Sequence, residues 1–155
     1  MTIEPGDSLP DFNLPATGGR TVSAQALKGR PYVLYFYPKA DTPGCTTEAC
    51  QFQEALPGLG KLKIEVIGVS KDKLPALEKF AAKYGLKFPL ASDADSDLCE
   101  QLGVWVEKSM YGRKYMGIER TTFLVDAAGK IKQIWRKVSV TGHVAEVAKA
   151  AAEMK

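Results

Sequence analysis

Pro31-Tyr-Val-Leu-Tyr-Phe-Tyr37, followed without a break by Pro38-Lys-Ala-Asp-Thr-Pro-Gly-Cys-Thr-Thr-Glu-Ala-Cys50, decides the reading of this chain. The first seven residues form a short and almost unbroken apolar run, rich in β-branched and aromatic side chains. Such a run suits a strand covered on both faces, because a strand with one wet face alternates polar and apolar residues. The Pro- and Gly-rich turn that follows ends the strand. From about Thr42 to Leu56 the pattern becomes helical, and Pro43 stands where a first helical turn tolerates proline. This places Cys45 at the start of a helix that leaves a buried strand. Unpaired N–H groups and the helix dipole favour an anion at that point, and a thiolate is such an anion. Thr42, three residues earlier, can turn its hydroxyl toward the sulfur or toward an oxygen bound beside it.

Working outward, strand-like and helix-like stretches alternate. Lys63 to Val69 reads as a second strand. Leu74, Leu77, Phe80 or Ala81, and Tyr84 recur at helical spacing, and Gly85 suits the cap. A short strand around Phe88 to Ala91 leads into a helical piece from about Ser96 to Leu102. Thr121 to Val125 and Lys130 to Trp135 flank Asp126-Ala-Ala-Gly129, whose Asp first and Gly fourth suit a type I hairpin turn. Thr141 suits the N-cap of a last helix with the stripe Val144, Val147, Ala148 and Ala151. Near the start, Phe12 to Ser23 carries a Gly18-Gly19 turn and reads as a hairpin. The expectation is one α/β domain over residues 1–155 with a thioredoxin-like fold: a central mixed sheet flanked by helices, with an N-terminal β-hairpin extension.

Composition narrows the function classes. At 155 residues the chain can bury a sizeable core without metals or structural disulfides. Apolar residues make up 45% and charged residues 25%, and nothing approaches the ~18 apolar residues of a membrane span. The net charge of +3 is too mild for nucleic acid. The densest basic stretch, Arg113-Lys114 with Lys108 and Arg120 nearby, is interleaved with Glu107 and Glu119 and reads as a solvated loop. Met-Thr-Ile-Glu-Pro-Gly-Asp lacks the pattern of a secretory signal, so a cytoplasmic location is the expectation. Glycine-rich nucleotide fingerprints are missing and no cofactor is expected.

Three cysteines remain to be explained. Zinc bound by Cys45, Cys50, Cys99 and His143 is disfavoured, since Cys-x₄-Cys is wide and the other two ligands are scattered. His143 reads as a neutral, exposed residue in a helix's first turn. Cys99, beside Leu98 and Leu102, reads as a packed and inert thiol. Cys50, next to Ala49 and Phe52, fits either a reactive partner for Cys45 or a small apolar filler. Cys-x-x-Cys is absent, which argues against a thioredoxin-like disulfide reductase.

Pro38-x-x-x-Thr42-x-x-Cys45 resembles the active-site signature of the peroxiredoxins. Single-domain length and Cys45-x₄-Cys50 are similar to the Q-type subfamily, also called bacterioferritin comigratory proteins. Gly6-Asp-x-x-Pro-Asp-Phe12 extends the likeness over essentially the whole chain. The resemblance implies that Cys45 attacks a peroxide, that Thr42 and an arginine hold it, and that Cys50 resolves the oxidised sulfur as a disulfide. Arg120, just ahead of the strand Thr121 to Val125, matches that arginine. Pro38 would line the peroxide site, and Glu48, one turn along the helix, could hold Arg120 through a carboxylate–guanidinium pair. Thioredoxin or a glutaredoxin-like protein is the implied reductant, and a monomer the implied state. Two rivals stay open: a thiol–disulfide oxidoreductase, and a non-catalytic redox switch or holdase.

Acidity alone would not suffice for such chemistry. A thiol two units more acidic than the usual ~8.5 gains only ~25-fold in thiolate at neutral pH. Fast reduction therefore needs donors placed on the breaking O–O bond, and Arg120 and the Cys45 amide are the candidates.

Overall fold

The computed structural model describes residues 3–154. At its centre β3 (Tyr32–Phe36) runs parallel to β4 (Glu65–Ser70) and antiparallel to β8 (Thr121–Val125). Every residue of β3 is buried. Tyr32, Leu34 and Phe36 enter one apolar cluster and Val33 and Tyr35 the other, so the unbroken run reflects a strand dry on both sides. Outward from β4 lie β5 (Leu90–Ser92), β1 (Asn13–Ala16) and β2 (Arg20–Ser23); outward from β8 lies β9 (Ile131–Trp135). These seven strands make the mixed sheet of a thioredoxin-like fold, with the order β2-β1-β5-β4-β3-β8-β9.

Helices α1 (Pro43–Lys61), α2 (Leu74–Tyr84) and α4 (His143–Glu153) cover one face. Phe52 of α1 stacks on Tyr35, with ring centroids 4.5 Å apart. A Cβ on Gly68 of β4 would stand 2.9 Å from the Tyr35 ring, so glycine is what lets that aromatic pair lie flat across the neighbouring strand. The short α3 (Leu98–Gln101) contributes Leu98 and Cys99 to the other cluster.

The expected N-terminal hairpin, the α2 stripe with left-handed Gly85 behind it, and the Asp126–Gly129 turn are all present. Asp126 accepts from the amides of Ala128 and Lys130, which locks that turn. Strand β4 starts two residues later than expected, β5 is displaced to Leu90–Ser92, and α3 is shorter than the piece read from Ser96 to Leu102. Helix α1 continues to Lys61, past Pro57, where a stop near Leu56 was expected. Buried Leu59 ties the extra turn to the core, and the turn closes without a glycine. Lys63 takes φ 60°, its amide donates to the Gly60 carbonyl, and the Ile64 amide donates to the Leu59 carbonyl.

Three expectations are corrected. The basic stretch read as a solvated loop is a second sheet, the hairpin β6 (Trp105–Met110) and β7 (Arg113–Ile118), closed through Tyr111 and Gly112 at positive φ. Only its base is buried, so no alternating apolar face marked it in the sequence. The N-cap of α4 is Gly142 in the left-handed region, not Thr141. His143 is therefore turned inward rather than exposed: it is buried, its Nε2 lies 2.8 Å from Thr122 Oγ1, and Trp135 packs edge-on against the ring.

Candidate active site

The site forms where β3 delivers the chain to α1. Thr42 is the extended N-cap, Pro43 takes the first helical position, and Cys45 follows in the first turn. Cys45 is 1% exposed, set against the inner face of the helix layer with Ala49 and Phe52. Arg120 reaches it from the short link between β7 and β8. Its Nη2 donates to Cys45 Sγ at 3.3 Å, and its Nη1 donates to Glu48 Oε1 at 2.6 Å. One guanidinium thus bridges the sulfur and a carboxylate one turn further along the same helix, the fork geometry that suits arginine and not lysine.

The backbone on either side of Arg120 is pinned. The Glu119 amide donates to the Val104 carbonyl at 2.7 Å, and the Val138 amide donates to the Arg120 carbonyl at 3.0 Å. Gly44 leaves room for the guanidinium, since a Cβ there would meet Nη2 at 3.2 Å. The motif does not announce this close approach, and the sequence alone singled out no role for Gly44.

Glu48 is fully buried, not the solvated helix residue that a surface reading would give. Burial pushes its carboxyl up to about 7 against the pull of the Arg120 guanidinium. Its Oε2 has no hydrogen-bond partner among the described residues, and neither have the hydroxyls of Tyr35 and Tyr37. Burial raises both phenols, Tyr35 further through the charges of Tyr37, Glu48 and Cys45, so they stay neutral around the site. Arg120 keeps its charge: burial opposes it, and Glu48 and Cys45 more than restore it.

The structure brings Cys45, Glu48 and Arg120 together, while the Thr42 hydroxyl is engaged within its own loop. The Thr42 hydroxyl donates to the Lys39 carbonyl at 2.8 Å, not to the sulfur. Pro38 stands half-buried at the head of the same loop. Cys50 is partly exposed, and all three cysteines are free thiols. With α1 intact from Pro43 to Lys61, Cys45 and Cys50 lie about 140° apart around the axis and roughly 8–9 Å apart at Cα. A disulfide needs about 4.4–6.8 Å. Cys99 sits elsewhere, in the other apolar cluster. Burial and the Asp93 carboxylate push its thiol far up. Among the described residues, no group of three or more His, Cys, Asp or Glu side chains is placed to hold a metal ion.

Residues 5–134 match the AhpC/TSA family. The chain belongs to that family. Among its AhpC/TSA relatives is peroxiredoxin Bcp of Bacillus subtilis, 47% identical over 94% of this chain and 93% of that protein. The Xanthomonas campestris bacterioferritin comigratory protein, studied for its alkyl peroxide reduction activity, superposes with a TM-score of 0.87 at 43% identity, covering 92% of this chain and 90% of the other. Peroxidoxin BcpB from Mycobacterium tuberculosis gives 0.86 at 31% identity over 99% of both chains. The AhpC/TSA fold is thus shared along nearly the full described length.

Proposed function

We propose that the chain is a thiol peroxidase that reduces hydrogen peroxide and organic hydroperoxides through Cys45. The observation that carries this is the Arg120 fork, donating at once to Cys45 Sγ at 3.3 Å and to Glu48 at 2.6 Å. In the first step the Cys45 thiolate attacks one peroxide oxygen and the O–O bond breaks. The departing oxygen takes the electron pair and a proton, leaving water or an alcohol and a sulfenic acid on Cys45. Arg120 and the first free amides of α1 stabilise the charge that builds on the two oxygens. Thr42 rotates off the Lys39 carbonyl to orient the peroxide, Pro38 shields the sulfur's approach, and Glu48 is the positioning residue for Arg120. The Xanthomonas relative's alkyl peroxide activity supports organic hydroperoxides as substrates alongside hydrogen peroxide.

In the second step the Cys50 thiolate attacks the Cys45 sulfur, water leaves, and a disulfide forms. An intact α1 holds these two sulfurs too far apart for that bond. The first turns of α1 therefore unwind before resolution, a local opening at a functional site. A dithiol donor of the thioredoxin or glutaredoxin kind returns two electrons and restores both thiols; the same proposal has the chain acting as a cytoplasmic monomer. Peroxide consumption coupled to thioredoxin and its reductase tests the reading. Wild type turns over many equivalents, and Cys45→Ser none. Consumption that stops at one equivalent with excess thioredoxin would instead indicate a redox switch. Amide exchange across residues 42–52 should be faster in the disulfide form, and equal protection in both forms would reject the unwinding step.

A further inference from the structure

Met110, Tyr111, Tyr115 and Met116 are the large hydrophobic side chains left exposed among the described residues, and all four belong to the β6–β7 hairpin. Tyr111, at the tip, is 98% exposed. Such a concentration on one projecting element marks a contact surface rather than scattered surface apolarity.

The register sorts the hairpin into two unlike faces. Lys108 opposes Tyr115 and Met110 opposes Arg113, which puts these four side chains on one face, with Tyr111 in the turn at its end. Glu107, the single acidic residue within the two strands, points to the opposite face and pairs with Lys114 at 3.8 Å. The Lys108 face thus carries exposed Met110 and Tyr115 with cations alone, while Met116, opposite Glu107, lies on the other face. The Lys108 face also leads toward Arg120, the residue that donates to the reactive sulfur. The Lys108 stem and the Tyr115 ring both lie over Gly117, at 3.2 Å and 3.4 Å from where a Cβ would stand. Burial and the Arg120 guanidinium lower the Lys108 pKa while Cys45 and Glu119 oppose them, so its ammonium lies within electrostatic reach of the site. Strand β7 ends two residues before Arg120 itself.

We propose that this face of the β6–β7 hairpin is the docking surface for the protein dithiol that recycles the enzyme, a partner whose thiols are ringed by apolar and acidic residues. The proposal rests on the peroxidase reading, which requires a macromolecular reductant to approach the disulfide next to this face. Charge complementarity selects the partner: with a net charge of +3 and a cationic face, a second copy of this chain would be repelled. Once docked, a partner thiolate attacks the disulfide and forms a mixed disulfide. The partner's second thiol then releases it, so two electrons move from the partner dithiol and both thiols of this chain return.

Two variants test the dock, Met110→Ser with Tyr111→Ser, and Arg113→Glu alone. Each is assayed for reduction of the disulfide form by thioredoxin and, separately, by dithiothreitol. The expected result is a thioredoxin rate constant at least tenfold lower for both variants, with the dithiothreitol rate and the peroxide-oxidation rate within twofold of wild type. Added salt should slow the wild-type thioredoxin reaction and leave Arg113→Glu nearly unaffected. An equal fall with both reductants would overturn the dock and make the hairpin a support for Arg120. An unchanged thioredoxin rate would overturn it outright. If the variants also lose binding to phosphatidylserine vesicles while keeping the thioredoxin rate, the face serves a lipid surface and the proposal falls. A wild-type protein that consumes no peroxide even with dithiothreitol would remove the peroxidase reading itself, an outcome the dithiothreitol arm separates from failure of the dock.

Discussion

Cys45 and Cys99 are near twins by position and opposites by surroundings. Each sits in the first turn of a helix, α1 for Cys45 and α3 for Cys99, and each is 1% exposed or less. At Cys45 the neighbouring charge is a cation, Arg120, donating to the sulfur. At Cys99 it is an anion: the Asp93 carboxylate accepts from the Cys99 amide at 2.8 Å and the Leu98 amide at 3.2 Å. Lys71 binds Asp93 at 3.2 Å and Glu100 at 2.8 Å, and so spends its charge on carboxylates. The carboxylate thus occupies the anion position at the head of α3 that a thiolate would need, and burial together with that carboxylate holds Cys99 protonated. A helix start does not by itself make a reactive thiol: at Cys99 burial disfavours the thiolate and the neighbouring anion adds to it, whereas at Cys45 the neighbouring donor is a cation.

The largest effect should come from exchanging the two sulfurs. Cys45→Ser abolishes peroxidase activity, and Cys99→Ser leaves it within about twofold, both read as steady-state peroxide consumption. Comparable losses in the two variants would erase the contrast.

Next comes the cation. Arg120→Ala should slow oxidation of the reduced enzyme by more than the ~25-fold that thiolate fraction alone explains. Arg120→Lys recovers part of the rate, since an ammonium cannot span both Cys45 and Glu48. Recovery of the full wild-type rate by Arg120→Ala at high pH would show that the arginine acts only on thiol ionisation.

A smaller, pH-dependent effect follows from Glu48. Its carboxyl titrates near about 7, so the Arg120 clamp weakens as pH falls through that value. Wild-type oxidation rates should carry a descending acid limb there that Glu48→Gln lacks. The stability sign is opposite to that of an ordinary salt-bridged glutamate. Folding raises this pKa above 4.5, so the folded protein takes up a proton first, and wild type gains stability relative to Glu48→Gln as pH drops from about 7 toward 4.5. Buried His143 runs the other way. Burial lowers it from 6.5 to about 4, and the stability of the neutral ring is lost as pH falls across that interval. Thermal unfolding of Glu48→Gln and His143→Asn against pH separates the two slopes.

Asp93→Ala should have the least effect on activity. It costs at least about 1–2 kcal/mol of stability by stripping the cap from α3. Cys99 stays unreactive toward peroxide, because burial is the larger cause of its raised pKa. A rapidly oxidised Cys99 in this variant would mean that the anion, not burial, keeps it inert.

The same pair shows what the sequence made legible. Tyr32–Phe36 could be read as a central strand because both of its faces are dry. Cys45 and Arg120 could be read because a motif and a strand boundary mark them. Residues set by long-range contacts left weaker traces. Glu48 has the spacing of any exposed helix residue, and only the packed β3–α1 layer buries it. His143 is drawn inward by Thr122, a partner 21 positions away. The β6–β7 hairpin has almost no core face, so period-two alternation never appeared. Asp93 reaches the amides of residues five and six positions on, a capping distance that local signatures do not contain.

The most direct test treats the fully reduced protein with one equivalent of peroxide, alkylates the remaining thiols and maps them by peptide mass spectrometry. The expected product is a Cys45–Cys50 disulfide inside the single tryptic peptide from Ala40 to Lys61, with Cys99 alkylated in full. A disulfide or oxidised sulfur at Cys99, with Cys45 alkylated, would contradict it.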